Sequence, residues 1–197
     1  MADMNMEAEN IKNGYIVDGI ITKGLNLLVV PNGEEVFCFT FSIALCVANG
    51  IKFLDRKIRQ CRVLYFALGD DSRERTRQQI ADIAGSDETL KNVTVIYAYE
   101  SGSFGDKMED GMEVFLYDNP QTKMIVIDSL EQVVESETGQ MKCDYAYNKL
   151  CALKKVANRH GVALLVVTHM AEEENRLTEA ANVILHINSG GNQNKSE

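Results

Sequence analysis

The stretch from Val30 to Phe37 lies where a phosphate-binding loop belongs, between a short apolar run and a longer apolar segment. Such a loop reads G-x-x-x-x-G-K-[ST]: its glycines let backbone N–H groups surround the phosphates, its lysine neutralises their charge and its hydroxyl binds magnesium. Aligned without gaps, Val30 and Glu35 take the glycine positions. Val36 takes the lysine position and Phe37 the hydroxyl position, while Gly33 keeps some glycine character at a free position. The sequence therefore predicts a loop without the groups that bind a polyphosphate.

Two adjacent glutamates in the same stretch oppose phosphate binding further. Glu34 and Glu35 stand where backbone dipoles and a lysine normally present positive potential. At an effective dielectric of about 20, two unit charges about 4 Å apart interact by about 4 kcal/mol, which is on the order of a thousandfold in affinity. Phe37 continues an apolar run through Phe39 and Phe41, and we expect it to pack inward. Phosphate and magnesium would then meet apolar bulk.

The pattern of apolar residues supplies the elements that must hold this loop. A helix is predicted from Phe37 to Ala48, ended by Asn49-Gly50. Short apolar runs rich in β-branched residues alternate with helical segments, as in strands that are covered on both faces. We therefore predict an α/β fold with a mostly parallel sheet and helices on both faces. The predicted strands are the run near Leu25, then Val63–Leu68, Val93–Tyr97, Met124–Ile127, Val162–Val167 and Val183–Ile187.

The size of the chain fits one domain. A length of 197 residues with 45% hydrophobic content is enough for one α/β core. We expect a flexible segment over residues 1–14, a single domain over residues 15–187 and a disordered polar tail over residues 188–197.

Four segments carry a resemblance to a known family. They are Ala44–Gly50, Phe66–Asp71, Met124–Leu130 and His160–His169. In order and spacing they resemble segments of the RecA-like P-loop ATPases of the plasmid RepA replicative-helicase type, over roughly residues 15–187. The resemblance implies a RecA-like fold with a degenerate phosphate loop, called Walker A in that family.

The resemblance also implies roles for single residues. Asp128 matches the aspartate that holds magnesium in the family, and His169 matches a residue that senses the γ-phosphate. Gly69 stands where the family has the glutamate that orients the attacking water. Structural roles remain open for Asp128, which could cap a turn, and for His169. The degenerate nucleotide site comprises Val30, Asn32, Gly33, Glu34, Glu35, Val36, Phe37, Gly69, Asp128 and His169.

These features predict a catalytically inactive homologue that acts as a regulatory or structural interaction protein. The resemblance connects it with DNA replication or recombination of a mobile element, and no cofactor is expected. One alternative is a divergent ATPase that uses ATP and magnesium through Asp128 and other phosphate contacts. No metal site is expected, and Asp128 is only a weak candidate, because magnesium usually relies on substrate phosphate oxygens as well. The cysteines show no C-x-x-C pairing.

Basic residues concentrate in one part of an acidic chain. The formal net charge of −9 argues against a surface that grips nucleic acid. Local positive charge nevertheless suggests a second alternative, a DNA-binding module, or a surface for an acidic partner that could be another copy of the chain. The short acidic segment from Met170 to Arg176 disfavours a DNA-contacting loop. The basic residues are Lys52, Arg56, Lys57, Arg59, Arg62, Arg73, Arg75 and Arg77.

The N-terminus gives an expectation about location. It is acidic and polar, unlike the basic start and apolar stretch of a secretory signal, so a cytoplasmic protein is predicted. The apolar segment from Val36 to Ala48 is shorter than the about 20 residues that cross a membrane, and no membrane association is expected.

Overall fold

The computed structural model describes residues 14–31, 36–68, 73–97, 107–139, 143–169 and 176–187. The segment before residue 14 and the tail after residue 187, predicted to be flexible and disordered, lie outside these ranges. The strands are β1 (Tyr15–Val17), β2 (Ile21–Thr22), β3 (Gly24–Val29), β4 (Arg62–Ala67), β5 (Val93–Tyr97), β6 (Thr122–Asp128), β7 (Ala163–Thr168) and β8 (Val183–His186). The helices are α1 (Phe37–Asn49), α2 (Arg73–Ala84), α3 (Asp87–Leu90), α4 (Met108–Asp118), α5 (Leu130–Thr138), α6 (Cys143–His160) and α7 (Arg176–Ala180).

Six parallel strands form the central sheet, in the order β5-β4-β6-β7-β3-β8. Strand β7 separates β3, which leads toward the candidate loop, from β6, which ends in Asp128. Because the strands run the same way, their carboxyl ends meet at one edge. There Ala67 lies beside Asp128, and Val29 lies beside Thr168. The predicted parallel α/β sheet is confirmed.

Helices cover both faces of this sheet. Helices α1 and α2 pack on one face, named here the α1 face, and α4 to α7 pack on the other, named the α4 face. Side chains alternate along β4: Val63 and Tyr65 belong to the core of the α1 face, and Leu64 and Phe66 to the core of the α4 face. All four are essentially inaccessible to solvent. Burial on both sides explains why the strands read as continuous apolar runs.

Helix α1 follows the prediction closely. It begins at Phe37 and ends at Asn49, where Gly50 adopts a left-handed φ of 69° and donates its N–H to the carbonyl oxygen of Cys46. Glycine favours this ending because it has no Cβ to oppose positive φ. Val36 precedes the helix without a side-chain hydrogen bond to its first turn. Among the described helices, none combines the length and the apolar character required to cross a membrane.

A small antiparallel hairpin, β1–β2, adjoins the sheet and was not predicted from the sequence. Buried Asn26 on β3 connects the hairpin to the sheet, because its side chain donates to the carbonyl oxygens of Thr22 (2.7 Å) and Leu164 (3.3 Å). Gly24 has a φ of 87°, and a Cβ there would lie 2.8 Å from Oδ1 of Asn182. Glycine is therefore required where the hairpin enters the sheet.

Candidate functional site

The carboxyl edge of the sheet gathers the described members of the candidate site. Val30 follows β3, is buried, and donates its N–H to the carbonyl oxygen of Thr168 at 2.9 Å. Phe37 opens α1, while Asp128 ends β6 and His169 follows β7. These positions match the strand–loop–helix order predicted from the sequence. Asn32, Gly33, Glu34, Glu35 and Gly69 lie outside the described ranges.

Aromatic rings fill the space behind the start of α1. The ring of Phe37 stacks on that of Phe41, with centroids 5.4 Å apart and planes 10° apart. The ring of Tyr65 meets Phe37 at 5.7 Å and Phe41 at 5.2 Å, edge-on in both cases. Val36, at the lysine position of the phosphate-loop pattern, is buried. An apolar cluster therefore lies where that pattern would place a lysine and a magnesium-binding hydroxyl.

A chain of buried hydroxyl groups ends on the carboxylate of Asp128. The hydroxyl of Tyr65 donates to Oδ2 of Asp128 at 3.0 Å. The hydroxyl oxygens of Thr40 and Tyr65 are 2.7 Å apart, and Oγ1 of Thr40 is 3.4 Å from the same carboxylate oxygen. With the Tyr65 proton donated to Asp128, the Tyr65 oxygen is one of several acceptors for the Thr40 proton, beside the carbonyl oxygens of Val36 and Phe37, both at 3.2 Å. Thr40 and Tyr65 are inaccessible, and Asp128 is 7% exposed.

Burial shifts the pKa values of Asp128 and Tyr65. It raises the pKa of Asp128, although the hydrogen bond from Tyr65 and the nearby His169 act in the opposite direction. Burial also raises the pKa of Tyr65 well above its usual value, and the adjacent carboxylate of Asp128 adds to the effect. The site thus disfavours the charged form of both side chains, because neither charge is solvated by water.

Glu131 accepts hydrogen bonds from the end of β7, close to Asp128. Its Oε1 accepts hydrogen bonds from the hydroxyl of Thr168 at 2.6 Å and from the backbone N–H of His169 at 2.9 Å. Glu131 follows Asp128 by three residues, on α5, so it fixes the strand end against the helix. In the part of the chain that the structure describes, no group of three or more His, Cys, Asp or Glu residues is placed to hold a metal ion.

The basic residues do not form one surface. Strand β4 begins at Arg62 and ends at Ala67, and α2 starts only after that carboxyl end. A six-residue strand spans about 20 Å, so Arg62 and the arginines Arg75 and Arg77 lie at opposite edges of the sheet. The segment before β4 instead pairs with β1. The other members are Lys52, Arg56, Lys57 and Arg59 in that segment, and Arg73 at the start of α2.

Sequence reasoning missed Thr40 and Tyr65. Thr40 lies one helical turn after Phe37, and Tyr65 is on the same sheet face as Val63. A tyrosine inside a buried parallel strand is itself a signal, because its hydroxyl requires a partner. The identity of that partner depended on the packing of α1 against β4 and β6.

Comparison with known proteins gives the family. A family model described as an AAA domain, AAA_25, matches residues 38–175. The curated proteins compared with the chain include no match. The family match covers well over half of the 197 residues and starts just after Phe37. The parallel sheet between two helical layers is a RecA-like arrangement of the P-loop NTPase fold, which agrees with an AAA domain. The chain therefore belongs to the AAA_25 family of AAA domains.

Proposed function

We propose that this AAA domain neither binds nor hydrolyses ATP and acts as a regulatory or structural interaction protein. The observation that carries the proposal is the buried chain of hydroxyl groups from Thr40 through Tyr65 to Asp128. It gives the carboxylate that would face magnesium a structural role in the protein core.

The environment of Asp128 is a poor fit to magnesium. A carboxylate must be ionised to bind a metal ion, and burial raises the pKa of Asp128, which opposes its ionisation. Its Oδ2 already accepts the hydroxyl of Tyr65. Magnesium also keeps a strict octahedral shell that usually includes phosphate oxygens and several waters. The hydroxyl of Thr40, which could otherwise serve as a ligand, lies within hydrogen-bonding distance of Tyr65 and of two backbone carbonyl oxygens.

The start of α1 is a poor fit to a polyphosphate. Val36 offers no positive charge at the lysine position, and the ring of Phe37 stacks on Phe41 at the hydroxyl position. The sequence adds the carboxylates of Glu34 and Glu35 just before the helix. A helix N-terminus attracts anions through its dipole, but that attraction is about 1 kcal/mol and is smaller than the repulsion from a close carboxylate.

The scaffold itself supports an interaction role. Both faces of the sheet are packed, and the departures from an ATPase pattern concentrate at phosphate-contacting positions. The resemblance to plasmid replicative-helicase ATPases supports a partner in DNA replication or recombination of a mobile element. A divergent ATPase using Asp128 is the competing function, and nucleotide binding separates the two.

Thermal unfolding with magnesium and ATP tests the proposal. A ligand present at ten times its Kd adds about 1.4 kcal/mol to the free energy of unfolding. In a chain of this size that raises the melting temperature by about 4 °C. We expect no increase at millimolar ATP with magnesium, for the wild type or for Asp128→Asn. An increase of several degrees in the wild type that Asp128→Asn abolishes would support the divergent ATPase instead.

A further inference from the structure

An exposed turn after α1 presents large apolar side chains to solvent. Ile51 is 57% exposed and Leu54 is 69% exposed. Phe39 of α1 is 38% exposed and lies beside the turn, because its ring contacts that of Phe53 with centroids 5.6 Å apart. Phe53 is itself buried and connects the turn to the core of the α1 face. Phe39, Ile51 and Leu54 form the apolar part of a surface that we name the turn surface.

The backbone of this turn holds Leu54 in an unfavourable conformation. Leu54 and Asp55 have φ angles of 48° and 59°, in the left-handed region. The Cβ of leucine opposes that region, whereas asparagine and aspartate tolerate it. The N–H of Arg56 donates to the carbonyl oxygen of Phe53 at 2.8 Å and closes the turn. A leucine that is both conformationally unfavourable and largely exposed to solvent points to a binding role.

Basic side chains surround the apolar part of the turn surface. The segment from Ile51 to Arg62 contains five basic residues and one acidic residue, Asp55. The segment folds back on the end of α1, where Nε2 of Gln60 donates to the carbonyl oxygen of Ala48 at 3.1 Å. Four of its basic side chains are exposed, and within the described residues they form no ion pair. These four complete the turn surface: Lys52, Arg56, Arg59 and Arg62.

The charge of the whole chain favours a short acidic partner over an extended polyanion. The formal net charge is −9, so duplex DNA or an anionic membrane would meet repulsion from the rest of the chain. A short acidic segment contacts the turn surface alone, and charges beyond the Debye length of about 8 Å are largely screened. Ile51 and Leu54 also have no aromatic face on which a base could stack, and apolar side chains cover them best.

Helix α4 of a second copy is a poor counterpart for this surface. Two of its four acidic residues are already paired within the chain, Glu109 with Lys149 and Glu113 with Arg159. Their carboxylates are therefore not available to the basic side chains of another molecule. The structure thus favours a partner that is a different protein.

We propose that the turn surface binds an acidic segment of another protein. Large apolar side chains of that segment cover Phe39, Ile51 and Leu54, while its carboxylates pair with the surrounding basic side chains. Three of the four basic side chains are arginines, which can hold a carboxylate through two parallel hydrogen bonds. The inference rests on the proposed function, which assigns the chain to protein binding, and it names the binding site and the chemistry of the partner.

Selection from a peptide library tests the chemistry of the partner. A phage-displayed library of random peptides of about 16 residues is selected on the full wild-type chain, without nucleotide. We expect the enriched peptides to combine net negative charge with several large apolar residues. Their Kd should be of micromolar order, as in small interfaces. Binding should weaken at about 1 M salt, where the Debye length is about 3 Å.

Two substitutions locate the binding site. Leu54→Asn removes the apolar side chain at a left-handed position that asparagine tolerates, so it should weaken peptide binding about tenfold or more without lowering the melting temperature. Arg56→Glu places a like charge against the acidic peptide and should weaken binding by a similar factor. Val114→Asn and Lys155→Glu make matched changes at exposed residues of α4 and α6 and should leave peptide binding unchanged.

Several results would overturn the proposal. They are a library that yields no binder, enriched peptides without net negative charge, and peptide binding that persists in both Leu54→Asn and Arg56→Glu. Duplex DNA of about 20 base pairs, phosphatidylserine vesicles and a second copy of the chain are tested as competing partners. Tighter binding of any of these, lost in the same two variants, also overturns it. Because peptide binding is measured without nucleotide, either outcome leaves the test of ATP binding unaffected.

Discussion

The hydroxyl of Tyr65 lies at the centre of the candidate site. It shares a hydrogen bond with the hydroxyl of Thr40 and donates one to Asp128, with no solvent access. The ring of the same residue packs edge-on against Phe37 and Phe41. One side chain thus supplies both the polar partner of a buried carboxyl group and part of the apolar filling beside it.

Replacing Tyr65 by phenylalanine tests this role. Tyr65→Phe keeps the ring but removes the hydrogen bond to Asp128, and a buried polar group without its partner costs about 1–3 kcal/mol. We expect the free energy of unfolding, measured by denaturant titration, to fall by about that amount. Tyr117→Phe makes the same chemical change at a residue that is 82% exposed and should leave stability unchanged.

A double-mutant cycle isolates the interaction between the hydroxyl groups. Thr40→Val, Tyr65→Phe and the double variant should show a coupling free energy of at least about 0.5 kcal/mol, as contacting residues commonly do. Strictly additive effects would contradict a connected hydroxyl chain.

The positions of the site residues can be predicted from the sequence, whereas the hydrogen bonds between them cannot. Asp128 ends an apolar strand and Phe37 begins an apolar helix, and both positions can be read from the apolar pattern. The bonds between Thr40, Tyr65 and Asp128 join residues 25 to 88 positions apart. Such contacts depend on how a helix packs against a sheet, and the periodicity of apolar residues in the sequence does not specify that packing.

At the scale of elements, the strongly periodic parts were predictable and the irregular ones were not. The six strands of the sheet and α1 have clear apolar patterns, and α1 ends at a helix-stop residue, Gly50. The β1–β2 hairpin has strands of three and two residues, too short for a repeating pattern. The basic residues looked contiguous in sequence, but β4 carries the chain from one edge of the sheet to the other between Arg62 and Arg75.

An ion-pair cluster joins three helices of the α4 face. Lys149 on α6 lies with its Nζ 2.5 Å from Glu109 on α4 and 2.6 Å from Glu137 on α5. Tyr145 donates to Glu137 at 2.7 Å. Burial alone would lower the pKa of Lys149, but its hydrogen bonds to the two glutamates raise the pKa overall. Its side chain is only 3% exposed, so the two carboxylates depend on its charge.

Removing the charge of Lys149 should destabilise the packing of these three helices. Lys149→Met leaves two carboxylates close together and without their cation, and breaking a buried ion pair in this way costs about 3–5 kcal/mol. We expect a loss of that order in the free energy of unfolding. Lys155→Met changes an exposed lysine on the same helix and serves as the matched control, with no expected loss. Equal stability of the two variants would show that the cluster is not structural.

At the scale of the whole molecule, the candidate site lies on the carboxyl edge of the sheet, between the α1 face and the α4 face. If nucleotide does not bind at that edge, it cannot switch the binding of a protein partner, since a ligand shifts only the equilibria of states that it binds differently. Partner binding would then be independent of ATP.

Phosphate release from ATP with magnesium decides whether this domain is an ATPase. The wild type, Asp128→Asn and Tyr65→Phe are compared at equal chain concentration, with and without added DNA. We expect one background rate for all three, because in the proposed function the carboxylate of Asp128 stabilises the protein core and does not bind a metal ion. A wild-type rate above background that falls when Asp128 is replaced would contradict it.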